Sequence, residues 1–447
     1  MKCVALHNLG CKVNGYEMDV MQQMLQEKGY KIVSFDEWAD IYIVNTCTVT
    51  NIADRKSRQM LHKARKLNPE AVVVAAGCYV QTGKEDVLKD VGVDLAIGNN
   101  KKKELLPILE KFLEEKSGET NEKTSTSFKT LDDTTIIDIG KTKEFENMQL
   151  KQTSGNTRAY IKIQDGCNQF CSYCIIPYAR GRVRSRKEED ILEEITGLAG
   201  RGYKEVVLTG IHISSYGTDF GEPALLALIE SIHGVDGIER IRLGSLEPGI
   251  VTQEFAARLR ALPKFCPHFH LSLQSGCDET LKRMNRKYTS GEYYEKVELL
   301  RQIFDRPAIT TDVIVGFPGE TQEEFDITRK YLEKIKLYEM HIFKYSKRKG
   351  TRAAEMKEQV PDEEKTRRSN LLLSMEKEYS QDYRTDYIGE EVEVLFEEEK
   401  VIDGVCYQTG HTRQYVKVAK RGEAGLSNRL IKGKAAGFLQ EDMLFIE

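Results

Sequence analysis

Short β-branched runs alternate with helix-length amphipathic segments twice along this 447-residue chain, and that alternation leaves few folds open. In the first block, apolar runs at residues 4–6, 41–44 and 72–75 are separated by helical patterns at 17–28 and 55–67. This is the strand–helix–strand signature of a parallel sheet. The second block has strand candidates at 159–163, 206–208, 241–243, 269–273, 309–315 and 340–343, with helical patterns at 188–201, 224–233, 252–262, 292–304 and 323–335 between them. Six repeats rather than eight predict a partial barrel, with its site at the C-terminal ends of the strands.

Between the blocks, from 114 to 152, Ser, Thr, Lys, Asp and Glu dominate. That stretch reads as a surface linker with one added strand at 136–139. Residues 365–387 read as a long charged helix, and short strands separated by glycine follow at 392–396, 405–409, 415–418 and 443–446. They predict a small β-barrel of about 60 residues. The expected layout is therefore an α/β chain in four parts: 1–113 with the parallel sheet, 114–152 as linker, 153–381 as the partial barrel and 382–447 as the small β-barrel.

Hydrophobic residues at 40% and charged residues at 30% exclude a disordered chain and a membrane protein. No apolar run approaches the roughly 18 residues of a spanning helix. The N-terminus, with Lys2 and a short strand-like run, lacks the apolar core of a signal peptide, so a cytoplasmic protein with no membrane partner is expected. A net charge of −4 excludes a polycation, so any nucleic-acid surface must be a local patch.

Ten cysteines in a reducing compartment point to metal or redox chemistry rather than a disulfide framework. Cys167, Cys171 and Cys174 form a C-x3-C-x2-C motif directly after the first strand of the second block. Three thiolates on one loop can hold three irons of a 4Fe-4S cluster and leave the fourth open to a small-molecule ligand. The asymmetric spacing does not match the paired C-x2-C knuckles of structural zinc. In the first block, Cys11, Cys47 and Cys78 each follow a strand candidate. In a parallel sheet those positions share one edge, where open α/β sheets build their sites. They make a second candidate cluster site, again with one iron lacking a protein ligand. Cys3, Cys266, Cys277 and Cys406 lack such a setting and read as packing residues.

The C-x3-C-x2-C motif after the first barrel strand resembles the radical S-adenosylmethionine (SAM) superfamily. With Cys11, Cys47 and Cys78 upstream and a small β-barrel downstream, the whole chain resembles the methylthiotransferases: a cluster-bearing N-terminal domain, a radical SAM core and an RNA-binding TRAM domain. Three branches of that family differ in substrate: isopentenyladenosine in tRNA, an aspartate of a ribosomal protein, or N6-threonylcarbamoyladenosine in tRNA. The run Asn45-Thr46-Cys47-Thr48-Val49-Thr50-Asn51, followed by Ala53-Asp54-Arg55-Lys56-Ser57-Arg58, is similar to the threonylcarbamoyladenosine branch. So is the run from Tyr178 through Arg180, Arg182, Arg184 and Arg186, in which the other branches usually carry an acid at the place of Arg182.

The resemblance implies two 4Fe-4S clusters and SAM as cofactors. SAM would chelate the open iron of the Cys167/Cys171/Cys174 cluster, and its cleavage would give an adenosyl radical. Sulfur would come from the second cluster and the methyl group from a second SAM, producing 2-methylthio-N6-threonylcarbamoyladenosine at position 37. Implied partners are the tRNA anticodon stem-loop and a low-potential electron donor such as flavodoxin or ferredoxin. Implied SAM contacts are Thr209, Gly210, Ser245, Gln274, Arg286, Asp312 and Gly316.

Arg180, Arg182, Arg184 and Arg186 are expected to meet either tRNA phosphates or the threonylcarbamoyl carboxylate. Arg413, Lys417, Lys420 and Arg421, with Tyr415 among them, suit phosphate contact and base stacking. The competing readings are methylthiotransferases acting on isopentenyladenosine tRNA or on a ribosomal protein, and an RNA-binding iron–sulfur sensor without turnover.

Overall fold

The structure, a computed structural model, describes residues 1–89, 92–118, 135–153, 155, 157–422 and 425–447. Strand β1 (Cys3–Asn8) runs through α1 (Lys12–Glu27) to the short β2 (Lys31–Val33), and β3 (Ile41–Thr46) through α2 (Asn51–Leu67) to β4 (Val72–Gly77). Short helices α3 (Cys78–Thr82) and α4 (Lys84–Lys89) precede β5 (Leu95–Ile97), and α5 (Leu105–Gly118) closes the block. All five strands are parallel, in the order β2-β1-β3-β4-β5.

Every residue of β3 and β4 is buried, which is why both read as unbroken apolar runs rather than alternating ones. Ile41, Ile43 and Val74 pack on Tyr16, Met21 and Leu25 of α1 and on Leu105 and Leu109 of α5. The opposite face sets Tyr42, Val44 and Val73 against Leu61 and Ala64 of α2.

The strand expected at 136–139 is absent. Ile136 and Ile139 are buried, but the segment meets the sheet block through isolated bonds: Gly98 N–H to the Thr135 carbonyl at 2.8 Å and Gln81 Nε2 to the Ile137 carbonyl at 2.9 Å. Apolar side chains fill a gap there without a continuous ladder. Residues 119–134 of the expected linker lie outside the described residues.

The second block begins with β6 (Arg158–Lys162) and the two-residue β7 (Gln164–Asp165); the cysteine loop and α6 (Ile176–Arg180) lead to β8 (Arg184–Ser185), antiparallel to β7. Then come α7 (Glu188–Gly200), β9 (Glu205–Thr209), α8 (Leu225–His233), β10 (Arg240–Leu243) and β11 (Ser245–Leu246). They are followed by α9 (Gln253–Arg260), β12 (His268–Leu271), α10 (Asp278–Arg283), α11 (Ser290–Ile303), β13 (Ala308–Val315), α12 (Gln322–Ile335), β14 (Glu339–Lys344) and α13 (Asp362–Thr385). Strands β10 and β11 are one barrel strand interrupted at Gly244, so the ladder divides into β6-β9-β10 and β11-β12-β13-β14, parallel throughout. The result is the expected six-strand partial barrel. Capping boxes at Thr289/Glu292 and Thr321/Glu324 fix where α11 and α12 start.

The C-terminal part is a closed barrel, β15 (Glu391–Ile402), β16 (Val405–Thr412), β17 (Lys417–Arg421), β18 (Leu430–Gln440) and β19 (Met443–Ile446), ordered β15-β16-β17-β19-β18. Val394, Phe396, Val418 and Leu444 fill it. Strand β18 carries no apolar alternation to betray it. Its Gly433 lies so close to the chain end that a Cβ there would stand 2.7 Å from the Glu447 carbonyl, so barrel closure selects a small residue where a pattern search wants a large one. Among the described residues no helix is long and apolar enough to cross a membrane.

Candidate cluster sites and the cavity between them

Cys11, Cys47 and Cys78 follow the C-terminal ends of β1, β3 and β4, three neighbours in the sheet. Two glycines let them converge. Gly10 has φ +108°, and a Cβ on it would sit 3.0 Å from Cys47 Cβ and 3.1 Å from Cys47 Sγ. Gly77 has φ +98°, and a Cβ there would strike Asn45 Oδ1 at 2.6 Å. Only glycine meets both demands. Cys47 and Cys78 are buried and Cys11 is open to the cavity described below. Cys78 Sγ accepts from Arg180 Nε at 3.3 Å and Asn99 Nδ2 at 3.4 Å. Burial pushes the Cys47 thiol pKa up to about 11.

The second set lies on the loop after β7. The loop starts at Gly166, φ +73°, where a Cβ would overlap the Arg182 carbonyl at 1.8 Å. Cys167 N–H donates to the Gly181 carbonyl at 3.0 Å, and Phe170 turns the loop in the left-handed region at φ +49°. Arg286 donates from Nη1 to Cys171 Sγ at 3.2 Å, braced by Glu247 at 2.6 Å and by the Tyr288 ring at 4.9 Å. Burial first, with the neighbouring thiols adding to it, pushes Cys167 up to about 11 and Cys174 up to about 12.

All six thiols are free of disulfides. Both sets fit a 4Fe-4S cluster: each has three thiols, cationic or amide donors aimed at sulfur, and a cost of bare thiolate that bound iron removes by taking the protons' place.

The arginine run does not present the four substrate-facing cations expected of it. Arg180, Arg184 and Arg186 are buried. Arg180 pairs with Glu17 at 2.5 Å and Asp165 at 3.1 Å, Arg184 lies 3.8 Å from Asp165, and Arg186 pairs with Glu194. Lys102 and Lys162 also close on Glu17, and Lys162 reaches Asp165 at 2.7 Å. Burial alone would raise the Glu17 carboxyl; Arg180, Lys102 and Lys162 overcome it and hold the carboxyl well below the ordinary range. Three of the four predicted substrate arginines are therefore internal counter-charges, and Arg180, through Glu17, joins the two α/β blocks. Arg182 alone is exposed, its guanidinium 4.5 Å from the centre of the Phe170 ring on the cysteine loop.

Between the blocks lies a cavity of about 580 Å³. Cys11 and Lys12 line one side, and Thr209, Gly210, Ser245 and Asp312 of the predicted SAM set line the other. Arg286 is at Cys171 instead. Gln274, buried with φ +70°, stitches strands together: its N–H donates to the Asp312 carbonyl at 2.8 Å and its carbonyl accepts from Ile314. Gly316 is no part of the cavity wall, because a Cβ there would meet Lys365 Cγ of α13 at 2.3 Å.

The cavity also holds His270 and His341, which the sequence reading passed over. His270, Asp312 and His341 bring ligand atoms within 4.8 Å of one another, a spacing able to hold a cation. His270 Nδ1 is paired with Thr310 Oγ1 at 2.9 Å, leaving Nε2 3.4 Å from Asp312. Two histidines in alternate positions of β12, His268 and His270, were the available signal. Lys12 carries a pKa lowered to about 8 by burial and by Arg158 and Arg242.

The C-terminal patch is also redistributed. Arg413 donates to the carbonyls of Pro263 and Phe265, so it seats the small barrel on the partial one. Tyr415 lies stacked between His411 at 4.4 Å and His268 at 5.1 Å, beneath Arg158 and Arg242, and is not free to stack on a base. Lys417 pairs with Asp442 at 3.2 Å. Lys420 and Arg421 form no ion pair among the described residues; Glu423, the acid nearest them in sequence, lies outside those residues.

Residues 161–332 match the radical SAM superfamily, and residues 3–98 match an uncharacterised protein family, UPF0004. The threonylcarbamoyladenosine tRNA methylthiotransferase MtaB of Bacillus subtilis is 37% identical over 100% of this chain and 97% of its own. Its Thermotoga maritima namesake is 36% identical over 93% of this chain and 91% of its own. The tRNA-2-methylthio-N(6)-dimethylallyladenosine synthase of Acetivibrio thermocellus is 34% identical over 96% and 88%. Among solved structures, the radical SAM methyltransferase TsrM of Kitasatospora setae superposes with a TM-score of 0.56 at 18% identity, covering 77% of this chain and 73% of that one. That likeness is one of fold.

Proposed function

The chain belongs to the radical SAM methylthiotransferase family, and from that premise we propose that it methylthiolates carbon 2 of N6-threonylcarbamoyladenosine at position 37 of tRNA. It is a transferase that uses SAM and 4Fe-4S clusters. The observation that carries the reading is the single cavity in which Cys11 faces the strand ends Thr209, Gly210 and Ser245. A thiol of the dispersed set and the floor of the partial barrel thus address one bound base. The choice of threonylcarbamoyladenosine over dimethylallyladenosine follows the relatives' names, supported by 37% identity over the full chain.

Residues 1–113 would hold the auxiliary cluster on Cys11, Cys47 and Cys78, and 153–381 the SAM-binding cluster on Cys167, Cys171 and Cys174. Residues 114–152 join the two, and 382–447 form an RNA-binding TRAM barrel. When bound, the clusters and SAM supply the electron, the adenosyl radical, the sulfur and the methyl group. The chain's own work is placement. Arg286 and Arg180 lend donors to Cys171 and Cys78. Thr209 and Ser245 offer hydroxyls, and Gly210 lines the same wall, where Gln164 leaves no room for a side chain: a Cβ would lie 2.9 Å from its carbonyl. Arg182, Lys420 and Arg421 are the outward cations for RNA, the electron comes from a low-potential donor such as flavodoxin or ferredoxin, and the site of action is the cytoplasm.

Nucleoside mass spectrometry on tRNA from a deletion strain tests this. The methylthio form of threonylcarbamoyladenosine should vanish while its unmodified precursor accumulates. Loss of the methylthio form of isopentenyladenosine instead would move the protein to the other branch.

A further inference from the structure

With Arg180, Arg184 and Arg186 occupied by internal carboxylates and Arg182 outside the cavity lining, a cation for the substrate's threonyl carboxylate within the cavity comes from elsewhere. Most of the strong charges around the cavity have internal partners. Arg158 is bound to Glu397 at 3.0 Å and Arg242 to Glu205 at 2.9 Å. Glu339 is bound to Arg384 at 2.7 Å, and Asp312 sits 3.4 Å from His270. Lys12 is left over. It lines the cavity, lies 6.0 Å from the centre of the Tyr160 ring, and forms no ion pair with any described residue. An ammonium that lines the cavity with no ion pair among the described residues is a site for an anion.

Its position in the chain narrows the anion further. Lys12 directly follows Cys11. In a purine, carbon 2 and the N6 substituent lie on the same edge, either side of N1. A base that presents carbon 2 to the Cys11 side therefore carries its N6 substituent along that same wall. We propose that Lys12 binds the carboxylate of the threonylcarbamoyl group and so selects this base over one with an uncharged N6 substituent. The inference rests on the function proposed above and names the residue that reads that substrate. SAM also has a carboxylate, and the test separates the two sources.

Anticodon stem-loop RNA bearing threonylcarbamoyladenosine, and the same RNA with the threonyl carboxylate as a methyl ester, are offered to the reconstituted wild-type enzyme, Lys12→Met and Lys12→Arg. A charge-assisted contact of the usual strength corresponds to roughly a ten- to hundredfold change in kcat/KM. Wild type should lose that factor on the ester. Lys12→Met should lose it on the acid but show less than about a threefold further loss on the ester, and Lys12→Arg should retain most activity on the acid. Iron content and SAM cleavage without RNA should match wild type in both variants. Equal losses of Lys12→Met on acid and ester overturn the inference, as does a wild type indifferent to esterification. Reduced SAM cleavage without RNA assigns Lys12 to the SAM carboxylate and overturns it too. A wild type that modifies isopentenyladenosine RNA and leaves threonylcarbamoyladenosine RNA untouched overturns the proposed function itself.

Discussion

The two cysteine sets gather three thiols by opposite means. Cys167, Cys171 and Cys174 lie within eight consecutive residues, on a loop that needs one left-handed glycine and one left-handed phenylalanine to turn. Cys11, Cys47 and Cys78 come from three strands of one sheet and meet only because β1, β3 and β4 are neighbours in register. The first set is a local property of the chain and the second a property of the folded domain. The contiguous set should tolerate damage to the N-terminal sheet, while the dispersed set should lose iron whenever strand order or spacing is disturbed.

The largest effect comes from removing each set whole. The triple change Cys167→Ala, Cys171→Ala, Cys174→Ala should abolish 5′-deoxyadenosine formation and leave iron and sulfide for one cluster of two. The triple change at Cys11, Cys47 and Cys78 should also leave one cluster, with SAM cleavage retained and no thiolated product. Zinc in place of iron, or thiolated product from the second variant, breaks the division of labour.

Next is Arg180→Ala, which strips a cation from buried Glu17 and Asp165 and a donor from Cys78. Breaking a buried pair costs about 3–5 kcal/mol, so the denaturant midpoint should fall clearly. Arg182→Ala, two residues away and exposed, should stay within about 0.5 kcal/mol of wild type. The pH dependence has a definite sign. The Glu17 carboxyl is depressed in the native state, so its contribution is present above the ordinary glutamate range and lost as pH falls through the native value. Arg180→Ala should weaken that acid sensitivity.

Gly77→Ala is smaller and more selective. Its φ of +98° and the 2.6 Å clash with Asn45 predict a strain of about 1–3 kcal/mol. Iron should be lost from the dispersed site while SAM cleavage continues; equal loss from both sites would mean the two are not independently built. The smallest effect is on RNA. Lys420→Ala with Arg421→Ala should lower the log–log salt slope of tRNA binding by roughly 0.7–0.9 per lost phosphate contact. SAM cleavage without RNA should not change.

The sequence was most readable where the signal is local. Apolar runs located β3, β4 and all six barrel strands, and cysteine spacing picked out the loop set without help from the fold. The dispersed set needed one further step, that each cysteine follows a strand. Reading failed where the deciding partner is remote. Arg180 looks like surface charge until Glu17, 163 residues earlier, is placed beside it. Tyr415 looks like a stacking platform until His268 and the barrel arginines close around it. Gly316 looks like room for a cofactor and is room for Lys365. In each case the residue type was read correctly as charge, ring or space, and its occupant came from elsewhere in the chain.

Glu17 has a consequence for modularity. The chain is laid out in separable-looking pieces, yet this carboxylate belongs to the first block while Lys162 and Arg180, two of the three cations around it, belong to the second. A partial barrel expressed alone would keep Lys162 and Arg180 facing Asp165 without the carboxylate that balances them. The first block alone would keep Glu17 with Lys102 and lose the cationic donor to Cys78. Neither half is a finished module. A split gene would have to deliver both halves together, and a recombined chain would have to exchange these charges as a set.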